Sequence, residues 1–478
     1  MDEVAARAVA APPPVYRALR ACVRFTLNLF YRHVEVTGTE HLEPGVPTIL
    51  ASTHPNSIVD PLLVGLFETR QVTFCARDGL FRVPVFGTLM RAVGAVPIRR
   101  PTDHAGPVDN SKMFEACREV LVAGGVISIF PEGKTHARMR VEPLKTGTAR
   151  MAIDAERSGD PLGLVIVPVG LNYLVREAFR SDVHVAFGPP LKVGELLDEL
   201  EAADPSLAED PRALVRALTE RISEAIRSLA VHVEREDDER LIAQVTQLIV
   251  DIRQAEGLDP EGQSPAERTA LVQRIIDAYH WFEAEEPIRC ARLRTWVNAY
   301  LDERRSLGLG GLDTALQKRR EARHGREDHR VFGPVGLVLG APFAALGVLT
   351  GALPFVVLRL LLLVGRPSSY RTALTKLLGG MLLFGATFAG FGWAAMQFVR
   401  PSIALGLSAS LVPLMIFTHR YLIDLRLHRF GLRKNVRKLW QRSRYLRIRA
   451  ERQLIQRELA QLREAYLAAH PPEAEAQV

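Results

Sequence analysis

The sequence TILASTHPNSIVDPLLVGLFE, residues 48–68, places a short polar segment between an apolar run and a helical pattern. The apolar run at residues 48–52 predicts a strand, and the spacing of apolar residues at 58–68 predicts a helix. The polar segment contains a histidine, His54, then a proline at a helix-start position and an acid, Asp60. A strand that leads into a helix is the repeating unit of α/β proteins, so this stretch indicates the fold class.

The same alternation extends to both sides of this stretch. Apolar, β-rich runs lie near residues 34–37, 72–76, 95–98, 125–130, 164–169 and 183–187, and helical patterns lie near 79–93, 110–123 and 146–157. We therefore predict an α/β domain over residues 33–190, built as a mixed sheet flanked by helices.

The composition fits a folded chain of several structural units. Of 478 residues, 47% are apolar and 24% are charged, which excludes disorder as the dominant state. The net charge of +7 is local, because residues 420–449 hold eleven Lys and Arg side chains and one acid. The cysteines are scattered, which argues against a disulfide framework and a structural zinc site, and we expect no metal. They are Cys22, Cys75, Cys117 and Cys290.

Residues 1–32 predict an N-terminal amphipathic helix with a basic face. Its apolar residues recur at spacings of three and four, with arginines between them. Two placements remain open for this helix. It could pack on the domain that follows, or it could lie in a bilayer interface, where its arginines would meet lipid phosphates. The apolar residues are Tyr16, Leu19, Val23, Leu27 and Phe30.

Residues 191–330 predict a separate helical domain, because the composition shifts to Leu, Ala, Glu and Arg with helical periodicity. The pattern breaks near residues 259–265 and 307–311. The glycines at 308–311 predict a turn between helices rather than a phosphate-binding loop. A lid over an acyl groove and a docking face for a partner are both open as roles for this region.

Three uncharged stretches follow, and they predict membrane hairpins over residues 331–418. The stretch at 377–399 is long enough to cross about 30 Å of hydrocarbon. The first stretch continues to residue 364 and contains Gly351 and Pro354, which predicts two half-length helices in a re-entrant hairpin. Basic segments precede the first stretch, separate the first from the second and follow the third. The positive-inside rule puts each of them on the cytoplasmic side, and only two hairpins, at 331–364 and 377–418, meet that condition. Buried helices of a soluble protein are the alternative.

The remaining residues, 419–478, predict a basic helical tail. Three partners are possible for it: anionic lipid headgroups, a second copy through a coiled coil or nucleic acid. The adjacent membrane hairpin favours lipid headgroups, and we expect no nucleic-acid partner. The oligomeric state is open.

Four clusters follow predicted strands, at the positions where an open α/β sheet places its ligands. His54 could act as a general base, with Asp60 fixing its tautomer, although a capping residue and a solvated acid are the alternative. Arg100 could bind a phosphate or be a surface charge. Glu132 could accept hydrogen bonds from hydroxyl groups, while the fourth cluster, in which only Tyr173 is titratable, is expected to shape an apolar groove. The clusters are STHPNSIVDP (52–61), VGAVPIRRP (93–101), ISIFPEGKTH (127–136) and IVPVGLNY (166–173).

The order and spacing of these clusters over residues 30–190 resemble the glycerophospholipid acyltransferases. The resemblance implies transfer of a fatty acyl group from a thioester donor, acyl-CoA or acyl carrier protein, to a glycerol-phosphate hydroxyl, with no other cofactor. It implies His54 as the base and Asp60 as its partner. It also implies that Arg100, Glu132 and Gly133 bind the phosphorylated acceptor. We add Lys134, as a point charge for phosphate, and Thr135 to this predicted set.

One departure from the family pattern affects the dyad. The common motif has four residues between histidine and aspartate, whereas five separate His54 from Asp60. HPNSIVDP is similar to the branch that includes fungal-type glycerol-3-phosphate and dihydroxyacetone-phosphate acyltransferases, which favours the first acylation. The broad family also includes enzymes that acylate 1-acylglycerol-3-phosphate, so the acceptor is open.

Membrane lipids, an acyl thioester and a glycerol-phosphate acceptor are the expected partners, with the catalytic domain on the cytoplasmic side of a membrane. Two other functions remain as alternatives. The chain could acylate another lysophospholipid, or it could be a non-catalytic lipid-binding membrane scaffold.

Overall fold

The computed structural model describes residues 12–82, 86–100, 108–136, 138–176, 178–255, 264–306, 334–365, 369–440 and 442–470. The predicted chain breaks at 259–263 and 307–311 and the basic residues at 318–330 lie outside these ranges. The chain divides into two compact units. We call Met1–Glu236 with Pro265–Ala270 the α/β unit, and Asp237–Ser264 with Leu271–Val478 the helical unit.

The α/β unit alternates strands and helices along the chain, as predicted. Its elements are α1 (Pro14–Phe30), β1 (Tyr31–Thr37), β2 (Thr48–Ser52), α2 (Val59–Phe67), β3 (Val72–Arg77), α3 (Phe86–Ala92), β4 (Val96–Ile98), α4 (Ser111–Val122), β5 (Val126–Ile129), α5 (Gly147–Arg157), β6 (Val165–Tyr173), β7 (Ser181–Phe187), β8 (Leu191–Lys192), α6 (Val193–Ala203) and α7 (Pro211–Leu229).

The eight strands form one mixed sheet in the order β1-β7-β6-β2-β5-β3-β4, with β8 paired to β6. Strand β2 lies parallel to both β5 and β6, and β7 runs antiparallel to β6. Ser52, the last residue of β2, pairs with Val169, so β6 continues past the end of β2. Because the carboxyl ends of β2, β5 and β6 share one edge, the clusters that follow them meet there.

Helices α6 and α7 belong to the α/β unit, which differs from the predicted boundary at residue 190. Their apolar faces complete the core against β2, β5 and β6. Leu218 and Ile226 of α7 are fully buried in this core. Their composition resembles that of the later helices, but the apolar stripe of α7 covers the sheet.

Helix α1 packs on the α/β unit through one face. The Tyr16 hydroxyl accepts a hydrogen bond from the backbone N–H of Val72, at 3.2 Å. Arg20 donates to the carbonyl oxygen of Leu66, at the end of α2, and so satisfies a helix terminus. The opposite face leaves Val15 and Phe25 more than 60% exposed. The buried face of α1 therefore packs on the domain that follows, which is the first of the two predicted placements.

The helical unit consists of α-helices in the residues described. They are α8 (Glu236–Ala255), α9 (Pro265–Glu285), α10 (Pro287–Ser306), α11 (Pro334–Gly365), α12 (Ser369–Ala395), α13 (Pro401–Trp440) and α14 (Arg442–Ala469). The first residue of α8 and the first six of α9 are counted with the α/β unit.

The last helix of the predicted tail packs into the helical unit. Ile455 and Leu459 of α14 share a core with Leu248 of α8 and Val297 of α10. Arg289 also donates to the Glu458 carboxylate at 2.8 Å. The apolar stripe of the tail is thus covered by the chain's own helices. The sequence could not predict this, because periodicity identifies an apolar face but not the surface that covers it.

Among the residues described, two helices are long and apolar enough to cross a membrane, Val335–Gly365 and Pro401–Arg426. Gly379–Ala395 is a shorter apolar helix. The structure has one unbroken helix, α11, where the sequence predicts two half-length helices. Pro342 and Pro354 lie inside it.

The first half of α11 runs antiparallel to α13. The Tyr421 hydroxyl donates to the carbonyl oxygen of Leu337, at 2.7 Å. Further along α11, Gly351 lies so close to Met415 that an added Cβ would be 2.7 Å from its sulfur. Residue numbers rise on α11 as they fall on α13, and a glycine at the contact lets the two backbones approach.

The second half of α11 runs antiparallel to α12, since Gly351 faces Phe384 and Leu358 faces Gly379. Helices α12 and α13 are themselves an antiparallel pair, in which Ser408 donates to the carbonyl oxygen of Phe388. Pro354 of α11 lies close to the residue at which its neighbour changes from α13 to α12.

Candidate active site

His54 follows β2 directly, at the carboxyl edge of the sheet. The residue before it, Thr53, is tied to β6 on both sides. Its N–H donates to the carbonyl oxygen of Val169, at 3.2 Å, and its hydroxyl accepts from the N–H of Leu171, at 3.0 Å. The start of the loop is thus fixed by the sheet, and it holds His54 with a mostly buried side chain.

His54 and Asp60 form a hydrogen-bonded pair, with 2.9 Å between Nδ1 and Oδ2. Asp60 is fully buried and lies in the first turn of α2, where the helix dipole favours a negative charge. An ionised Asp60 accepts the Nδ1 proton, which leaves Nε2 of the neutral imidazole as a proton acceptor. The pair therefore has the arrangement of a general base and its orienting acid.

The extra residue between His54 and Asp60 is absorbed by a tight turn. Ser57 has a positive φ of 55°. The N–H of Val59 donates to the carbonyl oxygen of Asn56, and that of Asp60 donates to Ser57, each at 3.2 Å. This turn delivers the Asp60 side chain to His54 in spite of the longer spacing.

Two further donors hold the Asp60 carboxylate. The backbone N–H of Asn56 donates to Oδ2 at 2.7 Å, and the Tyr173 hydroxyl donates to Oδ1 at 2.5 Å. Burial, reinforced by the charge of Asp60, raises the pKa of Tyr173 well above its usual value, so the hydroxyl keeps its proton. No part in the dyad was predicted for Tyr173 from the sequence, whereas in the structure its side chain binds the acid of the pair.

The FPEG turn lies beside the dyad. The Phe130 ring stacks on the His54 imidazole, with 4.2 Å between ring centroids and 26° between planes. Gly133 closes the turn by donating to the Phe130 carbonyl oxygen at 3.0 Å. Its φ of 69° and the nearby Lys145 side chain favour glycine at this position.

Glu132 is buried in this turn and binds His136 through Oε2 and Nε2. Its other oxygen, Oε1, and Nδ1 of His136 are buried and have no hydrogen-bond partner among the residues described. Buried polar atoms in proteins are normally paired, so these two atoms are available to a bound molecule or water. His136 is a polar residue of the site to which the sequence assigned no role.

Lys134 points away from this buried pair. It is 62% exposed and its Nζ lies 3.0 Å from a Glu142 oxygen. Partial burial opposes ionisation of Glu142, but Lys134 and Arg140 lower its pKa. The charge of Lys134 is therefore already matched, whereas Thr135 beside it is half-buried.

Arg100 lies at the same edge of the sheet but further from His54. It follows β4, which is separated from β2 by β5 and β3. Three strand spacings correspond to roughly 14 Å between the two strand ends. Asn110 fixes the end of β4 through two hydrogen bonds of 3.0 Å to the backbone of Arg99. The structure thus places His54, Asp60 and Glu132 together and Arg100 along the same edge.

Residues 33–172 match the family model described as Acyltransferase. The match includes all four clusters except Tyr173, which follows its last residue. Within the described residues, no group of three His, Cys, Asp or Glu side chains is arranged to hold a metal ion.

Among known relatives, an uncharacterized acyltransferase of Schizosaccharomyces pombe is 33% identical over 45% of this chain and 44% of its own length. Glycerol-3-phosphate O-acyltransferase 2 of Saccharomyces cerevisiae is 31% identical over 26% of this chain and 16% of its own. The chloroplastic 1-acyl-sn-glycerol-3-phosphate acyltransferase BAT2 of Brassica napus is 28% identical over 36% and 49%. The chain spans less than half the length of each of these relatives.

Proposed function

We propose that the chain is a membrane-attached glycerolipid O-acyltransferase. It transfers a fatty acyl group from an acyl thioester to a hydroxyl of glycerol 3-phosphate or 1-acylglycerol-3-phosphate. The observation that carries the proposal is the bond between His54 Nδ1 and Asp60, which leaves Nε2 as a base at the sheet edge. The match to the Acyltransferase family model and relatives named for both acceptors support it.

In the proposed reaction, His54 Nε2 takes the proton of the acceptor hydroxyl while that oxygen attacks the thioester carbonyl. Asp60 stabilises the imidazolium that forms. The new C–O bond replaces the C–S bond, and the leaving thiolate takes the proton back from His54. The substrate hydroxyl is the nucleophile, so no acyl-enzyme is formed.

The acceptor is proposed to bind along the FPEG turn and the edge of the sheet. Buried Oε1 of Glu132 suits a substrate hydroxyl. Arg100 suits the phosphate, because a guanidinium can form paired hydrogen bonds to it. Gly133 and Thr135 complete the turn, while Lys134 contributes less because Glu142 already pairs with it.

Attachment to a membrane is proposed from the apolar helices α11–α13. Their exposed side chains include Phe343, Leu382 and Leu405, which would be unfavourable in water. The basic segments beside them favour a cytoplasmic position for the catalytic domain by the positive-inside rule. An acyl chain is insoluble in water, so attachment would give the site direct access to its lipid product.

Thiol release by the purified full-length chain tests the proposed function. The assay uses acyl-CoA with glycerol 3-phosphate, dihydroxyacetone phosphate or 1-acylglycerol-3-phosphate. We expect release with at least one acceptor and a loss of roughly 10²- to 10⁴-fold in His54→Ala. Lipid binding without release for any acceptor would reject the enzyme in favour of a non-catalytic scaffold, and equal release by a folded His54→Ala protein would reject the mechanism.

A further inference from the structure

We propose that Tyr173 is a positioning residue, which fixes the Asp60 carboxylate in the rotation that presents Oδ2 to His54. Its contact with the acid is direct, with 2.5 Å between the hydroxyl and Oδ1. This inference rests on the proposed function, because it assigns Tyr173 to the dyad of that reaction.

The two oxygens of Asp60 have different partners. Oδ2 accepts from His54 Nδ1 and from the backbone N–H of Asn56, whereas Oδ1 accepts from the Tyr173 hydroxyl. Asp60 is fully buried, so water does not replace a lost donor easily. Removal of the Tyr173 hydroxyl would therefore leave Oδ1 without this bond and free the carboxylate to rotate.

The sheet, rather than the active-site loop, sets the position of Tyr173. Tyr173 is the last residue of β6, and it pairs with Val183 of β7. Its ring lies 6.0 Å from the Tyr31 ring, measured between centroids. Because the strand fixes the Tyr173 hydroxyl, that hydroxyl can hold the Asp60 carboxylate in one orientation. Asp60 itself lies on a helix that follows a tight turn.

The Tyr173 bond also controls how charge is distributed over the carboxylate. A donor on Oδ1 draws negative charge away from the oxygen that faces His54. Without that donor, the oxygen that faces His54 carries more negative charge and holds the imidazolium more strongly. Loss of the hydroxyl should thus move the acid limb of the pH–rate profile upwards, which a general loss of packing would not do.

Tyr31 provides a matched control. It is also a buried tyrosine, but its hydroxyl accepts from the side-chain amide of Asn56 at 3.1 Å rather than donating to Asp60. Tyr31→Phe and Tyr173→Phe each delete one buried hydroxyl from the same pair of rings. Only Tyr173→Phe removes a donor from the acid.

The test measures kcat and KM across pH for the full-length protein and both variants, with acyl-CoA and the preferred acceptor. For Tyr173→Phe we expect kcat to fall roughly 10- to 100-fold, as for a lost hydrogen bond to a charged group. KM should stay unchanged and the acid limb should move to higher pH, while Tyr31→Phe keeps the wild-type pH profile.

Two results would overturn the inference. One is a Tyr173→Phe protein with the wild-type kcat and pH profile. The other is an equal loss in both variants with unshifted profiles and lowered unfolding temperatures, which would mean a structural role alone. If the wild type released no more thiol than His54→Ala, the proposed function would fail instead, so the two failures are distinguishable.

Discussion

Ser57 adopts a left-handed backbone conformation inside the segment that joins His54 to Asp60. Such a conformation is unfavourable for residues with bulky β-carbons and easier for asparagine or glycine. The turn around it brings His54 and Asp60 into hydrogen-bond contact although five residues separate them in the sequence. The backbone at Ser57 is thus part of how the base is oriented.

Substitution at position 57 tests this backbone requirement. Ser57→Val should lower the free energy of unfolding by about 1–2 kcal/mol and reduce acyl transfer, because a β-branched residue resists a positive φ. Ser57→Asn, the matched control, should retain both. Denaturant unfolding and thiol release measure the two effects, and a Ser57→Val protein as stable and active as the wild type would contradict the turn.

Glu132 and Lys134 are neighbours in sequence with different surroundings. Glu132→Gln should raise KM for the acceptor while leaving KM for acyl-CoA unchanged, because Oε1 of Glu132 is the buried oxygen available to a hydroxyl. Lys134→Met should change KM for the acceptor much less, since this lysine is exposed and paired with Glu142. Steady-state kinetics would refute the assignment if Lys134→Met had the larger effect.

The start of α9 docks on strand β7 through a buried histidine. His184 Nε2 lies 2.9 Å from the Thr37 hydroxyl, and Nδ1 lies 3.2 Å from that of Thr269. Burial lowers the pKa of His184 below its usual 6.5, although Glu35 acts in the opposite direction. The unfolded chain therefore binds a proton at a pH where the folded chain does not.

Stability should consequently fall as pH decreases below about 6.5 and through the lower pKa of the folded state. Above that range the contribution of His184 is fully present. Denaturant unfolding at about pH 7.5 and about pH 5.5 should show a smaller loss for His184→Gln than for the wild type. An identical pH dependence in the two proteins would show that this histidine does not couple protonation to folding.

The continuous helix α11 and the positive-inside rule give different predictions for membrane topology. If α11 enters and leaves on one side and α12–α13 form a second hairpin, then the three basic flanks all lie on that side. Single cysteines at Ser306, Ser368 and Ser443, in a chain lacking its native cysteines, should react with an impermeant reagent from the same face of sealed vesicles. Labelling of position 368 from the opposite face to position 306 would mean that α11 crosses the membrane as a straight helix.

The sequence predicts the α/β unit well because each polar cluster directly follows an apolar strand. Parallel strands place their carboxyl ends at one edge, so His54 and Glu132 could be assigned to one site before the structure was known. The contact of Tyr173 with Asp60 could not be predicted in this way, because the position of Tyr173 depends on how far β6 extends past β2. That register is a property of the assembled sheet and not of either segment.

The domain boundaries were harder to predict for a related reason. Helix α7 and helix α14 both have clear apolar stripes, but periodicity does not identify the surface that covers a stripe. The stripe of α7 covers the sheet, and the stripe of α14 returns to α8 and α10. Composition placed both helices in other domains, and only the packed core shows which unit each belongs to.

A double-mutant cycle on acyl transfer tests most directly whether His54 and Asp60 act as one catalytic unit. His54→Ala, Asp60→Asn and the double variant are compared by single-turnover thiol release. We predict that each single change lowers the rate by orders of magnitude and that the double variant is no slower than His54→Ala, because Asp60 works only through the imidazole. Rate losses that multiply in the double variant, or a folded His54→Ala protein with the wild-type rate, would show that the two residues do not act as one catalytic unit.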